Sequence, residues 1–293
     1  PMFRTALITM FLTSTAFATT WTVDDDGKAD FDNIQAAVDA SSDGDEIVVM
    51  PGTYTSTAEE VVNMLGKAVW LYSMDGPETT FIDGGGVRRG IVCDSGETSK
   101  TIIEGFRITN GYTSSTYGGG MRNYDSNPTL DDCTFEGNVG GMSNVYSSPT
   151  LTNCTFTNNT AAIGGGMYNS SGSSPTLTTC TFTNNTAGTG SGIYNANGSS
   201  PTLTNCTFDS NTAENFGGVM YTYNSSPTLT NCTFTNNSAI AGGGMYSHGA
   251  SNPTLTNCTF ESNSAGWGSG MYNGQSSPTL NGCTFTGNSS YGD

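Results

Sequence analysis

Seven cysteines, Cys133, Cys154, Cys180, Cys206, Cys232, Cys258 and Cys283, stand 21, 26, 26, 26, 26 and 25 residues apart. Thiols so spaced could form disulfides, hold a soft metal or fill a core. The chain has no Cys-x-x-Cys pair and a single histidine, His248, so a zinc site lacks partners. Equivalent positions in stacked coils would place the thiols ~4.8 Å apart. Parallel side chains at that spacing do not readily reach disulfide geometry, so free, buried cysteines are expected.

Acid–base chemistry has one mixed cluster to draw on: Asp83, Arg88, Arg89, Asp94, Glu104, Arg107 and Arg122. A sugar hydrolase needs paired carboxylates, and a lyase needs a cationic base. From residue 123 onward acids are sparse, with only isolated neighbours such as Asp131-Asp132 beside Glu136. The cluster reads as solvated surface charge, so no catalytic residue and no enzymatic activity are expected. The stretch Asp24-x-Asp26-Gly27 hints at calcium, but Lys28 stands at a ligand place, and a solvated acidic turn is expected instead. No metal and no cofactor are expected.

These residues ride on a repeat. From Pro128 the phrase Pro-Thr-Leu-x-x-Cys-Thr-Phe-x-x-Asn recurs seven times, each time with a glycine cluster and a Met or Ile. Self-similarity at this period signals a solenoid. In residues 148–174, Leu151, Cys154, Phe156 and Met167 point inward. Thr150, Thr152, Thr155, Thr157 and Tyr168 point outward. Asn153 and Asn158-Asn159 turn the chain. Three short strands per coil make a parallel β-helix, an all-β fold. The recurrent Asn138, Asn159, Asn185, Asn211, Asn237, Asn263 and Asn288 are expected to hydrogen-bond from coil to coil.

Four segments follow. Residues 1–18 read as a signal peptide, with Arg4, an apolar run over 6–12 and Ala16-Phe17-Ala18 as the cleavage site. Residues 19–44 read as an N-terminal cap whose short helix begins at Asp32. Residues 45–127 read as irregular coils, and residues 128–293 as regular ones, cut short at Asp293. The open end predicts end-to-end association or a further C-terminal domain. Export to the outside or the cell surface, with association to an outer membrane, is the expected location. No transmembrane segment is expected in the mature chain. A net charge of -17, with no Lys or Arg after Arg122, excludes nucleic acid as a partner.

Two outward rows are candidate binding residues. One is threonine: Thr150, Thr152, Thr176, Thr178, Thr202, Thr204, Thr228, Thr230, Thr254 and Thr256. The other is aromatic: Tyr168, Tyr194, Tyr221, Tyr246 and Tyr272. Ordered Thr-x-Thr arrays resemble the faces of β-solenoid ice-binding proteins. A tyrosine row offers apolar rings and hydroxyls to a sugar.

At Phe135/Asn138 through Phe285/Asn288, and at glycine motifs such as Gly164-Gly165-Gly166-Met167, residues 118–293 resemble the polymorphic outer-membrane protein repeats of Chlamydia. The part before them looks like the first coils of secreted pectin-lyase-like proteins. The resemblance implies a right-handed β-helix, export and an adhesive or surface role. The leading expectation is therefore a non-catalytic, adhesin-like protein that meets a surface, a glycan or another protein. The alternatives are ice binding and a carbohydrate-binding protein related to polysaccharide lyases or hydrolases.

Overall fold

The computed structural model describes residues 18–114 and 117–291. Residues 1–17, the bulk of the expected signal segment, lie outside the described residues.

Among the described residues, short strands pair in parallel with their counterparts one coil away, and they stack into four sheets. The first, of eleven strands, runs from Thr20–Val23 through Thr150–Thr152 and Thr176–Thr178 to Thr279–Asn281; it is called here the leucine sheet. The second, of ten strands, contains Thr155–Thr157 and Thr181–Thr183 and is the phenylalanine sheet. The third, of nine, contains Met167–Ser170 and Ile193–Ala196 and is the tyrosine sheet. The fourth, of six, contains Thr160–Ile163, Thr186–Thr189 and Ser264–Trp267. Sequence reasoning expected three strands per coil. The extra sheet arises because the residues after each Asn turn, such as Thr160–Ile163, pair in register with the next coil instead of looping freely.

Like residues meet across coils. Leu151 pairs with Leu177, Phe156 with Phe182 and Met167 with Ile193. Each coil adds one Leu, Cys, Phe and Met or Ile to a shared interior, and these side chains are buried through most of its length. Full burial of each large apolar side chain contributes roughly 1.5–3 kcal/mol. No coil could bury that set alone, so the core exists only because coils stack.

The bend between the first two strands of a coil sits on Asn153, whose φ of 54° lies in the left-handed region that Asn tolerates better than most residues. It breaks the inward–outward alternation, so Leu151 and Cys154 can both face the core. The phenylalanines stack along the interior, with successive rings from Phe135 to Phe285 4.4–5.0 Å apart.

The expected asparagine ladder is present. In each link, such as Asn159 to Asn185, the backbone N–H and Nδ2 of one asparagine both donate to the Oδ1 of the next. The same Nδ2 also donates to the carbonyl of a coil behind it, Phe135 for Asn159 and Phe156 for Asn185. Each amide thus ties together three coils.

At the N-terminal end a helix, Ile34–Ala40, lays Ile34, Ala37 and Val38 over the core. Its cap is Asn33, whose side chain accepts from Ala36 N at 2.8 Å, and not the expected Asp32. Residues 101–109 form two short strands, Ile102–Glu104 and Arg107–Thr109, with Gly105 at φ 77° between them. Among the described residues no helix is long and apolar enough to cross a membrane.

Candidate carbohydrate-facing surfaces

The tyrosine sheet turns Met167 and its equivalents inward, and that alternation sends the next residue out. Tyr168, Tyr194, Tyr221, Tyr246 and Tyr272 therefore align in one outer column. Where the coil before Tyr168 carries Ser143, Tyr117 supplies the missing ring from outside the strand. The result is a run of six stacked rings. Their centroids are 4.2–5.5 Å apart and their planes lie within 14° of parallel. Inside this stack the rings spend their faces on one another and offer outward edges and hydroxyls. Burial raises the phenol of Tyr194, helped by Tyr168, and pushes Tyr221 up to about 12, helped by Tyr194 and Tyr246. These hydroxyls remain hydrogen-bond donors at neutral pH.

Free aromatic faces appear at the C-terminal end of that row. The fourth sheet aligns Thr189, Phe216, Ala241 and Trp267 in one column. Trp267 is 64% exposed and Phe216 40%, whereas Ala241 is buried. Together with Tyr246 and Tyr272 they line a cleft of about 340 Å³. Phe216 and Trp267 were not singled out in sequence. Their signal is positional: Ile163, Thr189, Phe216, Ala241 and Trp267 each directly precede a glycine cluster.

The threonine candidates form two straight columns on the leucine sheet. Thr150, Thr176, Thr202, Thr228 and Thr254 are one, and Thr152, Thr178, Thr204, Thr230 and Thr256 the other. Toward the N-terminus the same columns change character. The first continues through Thr129, Ile102 and Trp70 to Glu46, the second through Asp131, Glu104 and Tyr72 to Val48. The rings of Trp70 and Tyr72 lie 4.5 Å apart, and Trp70 Nε1 donates to Glu104 Oε2 at 2.9 Å. A cleft of about 940 Å³ opens there, lined by Asp43, Asp45, Glu46, Trp70 and Lys100 among others. Sequence reasoning did not connect Glu46, Trp70 and Tyr72, because the irregular early coils hide their register.

The mixed cluster is brought together only in part. Glu104 belongs to the leucine sheet. Arg107 lies on the phenylalanine sheet, bridging Glu78 and Glu136 at 2.6 and 3.1 Å. Arg89 and Arg122 belong to the tyrosine sheet, where Arg122 pairs with Asp94 at 3.1 Å. In the acidic turn Lys28 pairs with Asp26, and Asp25 accepts from Thr53 N at 3.0 Å. All seven repeat cysteines are free, and six are buried. The thiol of Cys154 is pushed up by burial. Those of Cys206 and Cys232 rise to about 12, through the thiol of the preceding coil and through burial.

Stacked parallel coils with a shared interior define a β-helical solenoid. The family described as right handed beta helix region matches residues 78–208 and 188–293, and the chain belongs to it. A search of curated proteins finds no match. Three similar solved structures are a pectin methylesterase from carrot, a mannuronic acid specific lyase from human gut microbiota and a mannuronan C-5 epimerase module from Azotobacter vinelandii. The carrot enzyme is 14% identical, with a TM-score of 0.41, over 92% of this chain and 85% of that one. The lyase is 16% identical, with a TM-score of 0.44, over 90% and 59%. The epimerase is 14% identical, with a TM-score of 0.39, over 87% and 90%. These relatives in shape are enzymes, so the expectation of no enzymatic activity is withdrawn. At such identities the likeness is one of fold, and no substrate or residue role is carried over from them.

Proposed function

We propose that this protein engages a polysaccharide along its tyrosine face. The row of six stacked rings from Tyr117 to Tyr272 carries the reading. A polymer of repeating sugars meets a column of repeating phenols, and many weak hydroxyl contacts add through effective concentration. The threonine columns from Thr150 to Thr256 offer a second regular hydroxyl surface to the same kind of ligand. A net charge of -17 favours neutral over uronate polymers. Polysaccharide pull-down tests the reading: a Tyr194→Ala/Tyr221→Ala variant should bind roughly tenfold more weakly. Unchanged capture would remove the tyrosine face from the proposal.

A second reading assigns catalysis to the N-terminal cleft. It is favoured by Glu46, which lines that cleft beside Trp70, and by Glu104, one coil further on, which accepts from Trp70 Nε1. Two carboxyls are the common means of cleaving a glycosidic bond. Release of reducing ends, abolished in Glu46→Gln and Glu104→Gln, is the supporting result. No release from neutral or uronate polymers would eliminate it.

Export and surface display, as the chlamydial repeat resemblance implies, complete the proposal. Fractionation of cells expressing the natural gene tests it, and retention inside the cell would contradict it.

A further inference from the structure

We infer that the slot between Phe216 and Trp267 holds one neutral pyranose ring. The inference rests on the polysaccharide reading and gives it a place and a ligand class.

Ala241 pairs with Phe216 in the coil before it and with Trp267 in the coil after it. The backbones bearing the two large rings therefore stand two strand spacings apart, ~9.6 Å. Within that column only the methyl of Ala241 lies between them. A ring touching both walls needs about 3.5–4.0 Å on each side, and two strand spacings leave room for one such ring. Phe216 leans on Tyr246, with centroids 4.9 Å apart and planes at 39°, and this contact fixes one wall. Trp267, at 64% exposure, is the open wall.

The lining decides what fits. Phe216, Ala241, Tyr246, Trp267 and Tyr272 supply apolar faces and two phenol hydroxyls. A pyranose has the complementary form, with C–H faces and a hydroxyl rim. None of the five lining residues is charged, so neither a uronate nor a protonated amino sugar finds a counter-ion there. No Lys or Arg follows Arg122 to supply one from a later coil. The cleft, about 340 Å³, has room for a sugar unit whose linkages run on outside it.

The full chain is titrated with neutral cello-, manno- and galacto-oligosaccharides and with oligogalacturonate, following tryptophan fluorescence. A saturable shift with a neutral series and none with oligogalacturonate is expected. Trp267→Ala should abolish it, and so should Ala241→Phe, which fills the slot. Trp21→Phe should leave it intact, and circular dichroism verifies that each variant is folded. No shift with any neutral series, or a shift that survives in Trp267→Ala, overturns the inference. The Tyr194→Ala/Tyr221→Ala variant separates the two claims. If it captures polysaccharide normally while the slot still responds, the ladder reading fails and the slot stands.

Discussion

The side-chain amide of Asn195 reaches no acceptor, because the residue beside it in the next coil is Thr222. Up to that point a second asparagine column runs inside the tyrosine sheet. Asn123, Asn144 and Asn169 each donate to the next at 2.8–2.9 Å, the last of them to Asn195. Thr222 has turned instead to Ser247, 3.1 Å away. Thr222→Asn should extend the column and satisfy Asn195. The expected gain is about 1 kcal/mol, read as a higher denaturation midpoint. A lower midpoint would mean that the bond to Ser247 outweighs the orphaned amide.

Thr179 occupies a bend at φ 56° where equivalent coils carry Asn153, Asn205, Asn231 and Asn257. A β-branched residue is strained in the left-handed region, and asparagine is not to the same degree. Thr179→Asn should therefore stabilise by about 1 kcal/mol. Guanidinium unfolding checks this, and a neutral result would show that the bend relaxes around threonine at no cost.

Gly218 separates two coils so closely that a Cβ there would lie 2.0 Å from Gly243 O and 2.7 Å from Ser238 O. Both obstacles are backbone and cannot swing aside. Gly218→Ala should cost about 3 kcal/mol or more. Gly172, at φ 79° with open space around it, provides the comparison, and Gly172→Ala should cost only about 1–2 kcal/mol. Equal losses for the two variants would refute the close-approach argument.

The thiol of the preceding coil, together with burial, pushes Cys206 and Cys232 up to about 12 from the ordinary 9.0. Below about pH 9 both folded and unfolded chains keep these protons. Above it the unfolded chain releases them first and so binds fewer. Their contribution to stability is therefore present at neutral pH and is lost as pH rises from about 9 toward about 12. Denaturation at pH 7 and pH 10.5 should show the loss, and Cys206→Ala/Cys232→Ala should flatten the slope. An unchanged slope in that variant would assign the alkaline loss to other groups, such as Tyr221.

Much of this was legible beforehand. The inward set of Leu151, Cys154, Phe156 and Met167, the outward Thr and Tyr rows and the Asn138–Asn288 ladder all follow from alternation within an exact repeat. The fourth sheet was missed because Thr160–Ile163 mixes small and apolar residues without a marked period. The mixed charge cluster was assembled from nearness along the chain. Winding moved Glu104, Arg107 and Arg122 onto three different sheets.

The repeat alone dictated that like residues align, because an in-register parallel stack is the arrangement in which every coil buries the same apolar set. It could not say which unlike residues would become neighbours. Phe216, Ala241 and Trp267 lie 25 and 26 residues apart, and Glu46, Trp70 and Glu104 lie 24 and 34 apart. Their meeting depends on the length of each coil and on where its bends fall, which are set by packing against the coils on either side.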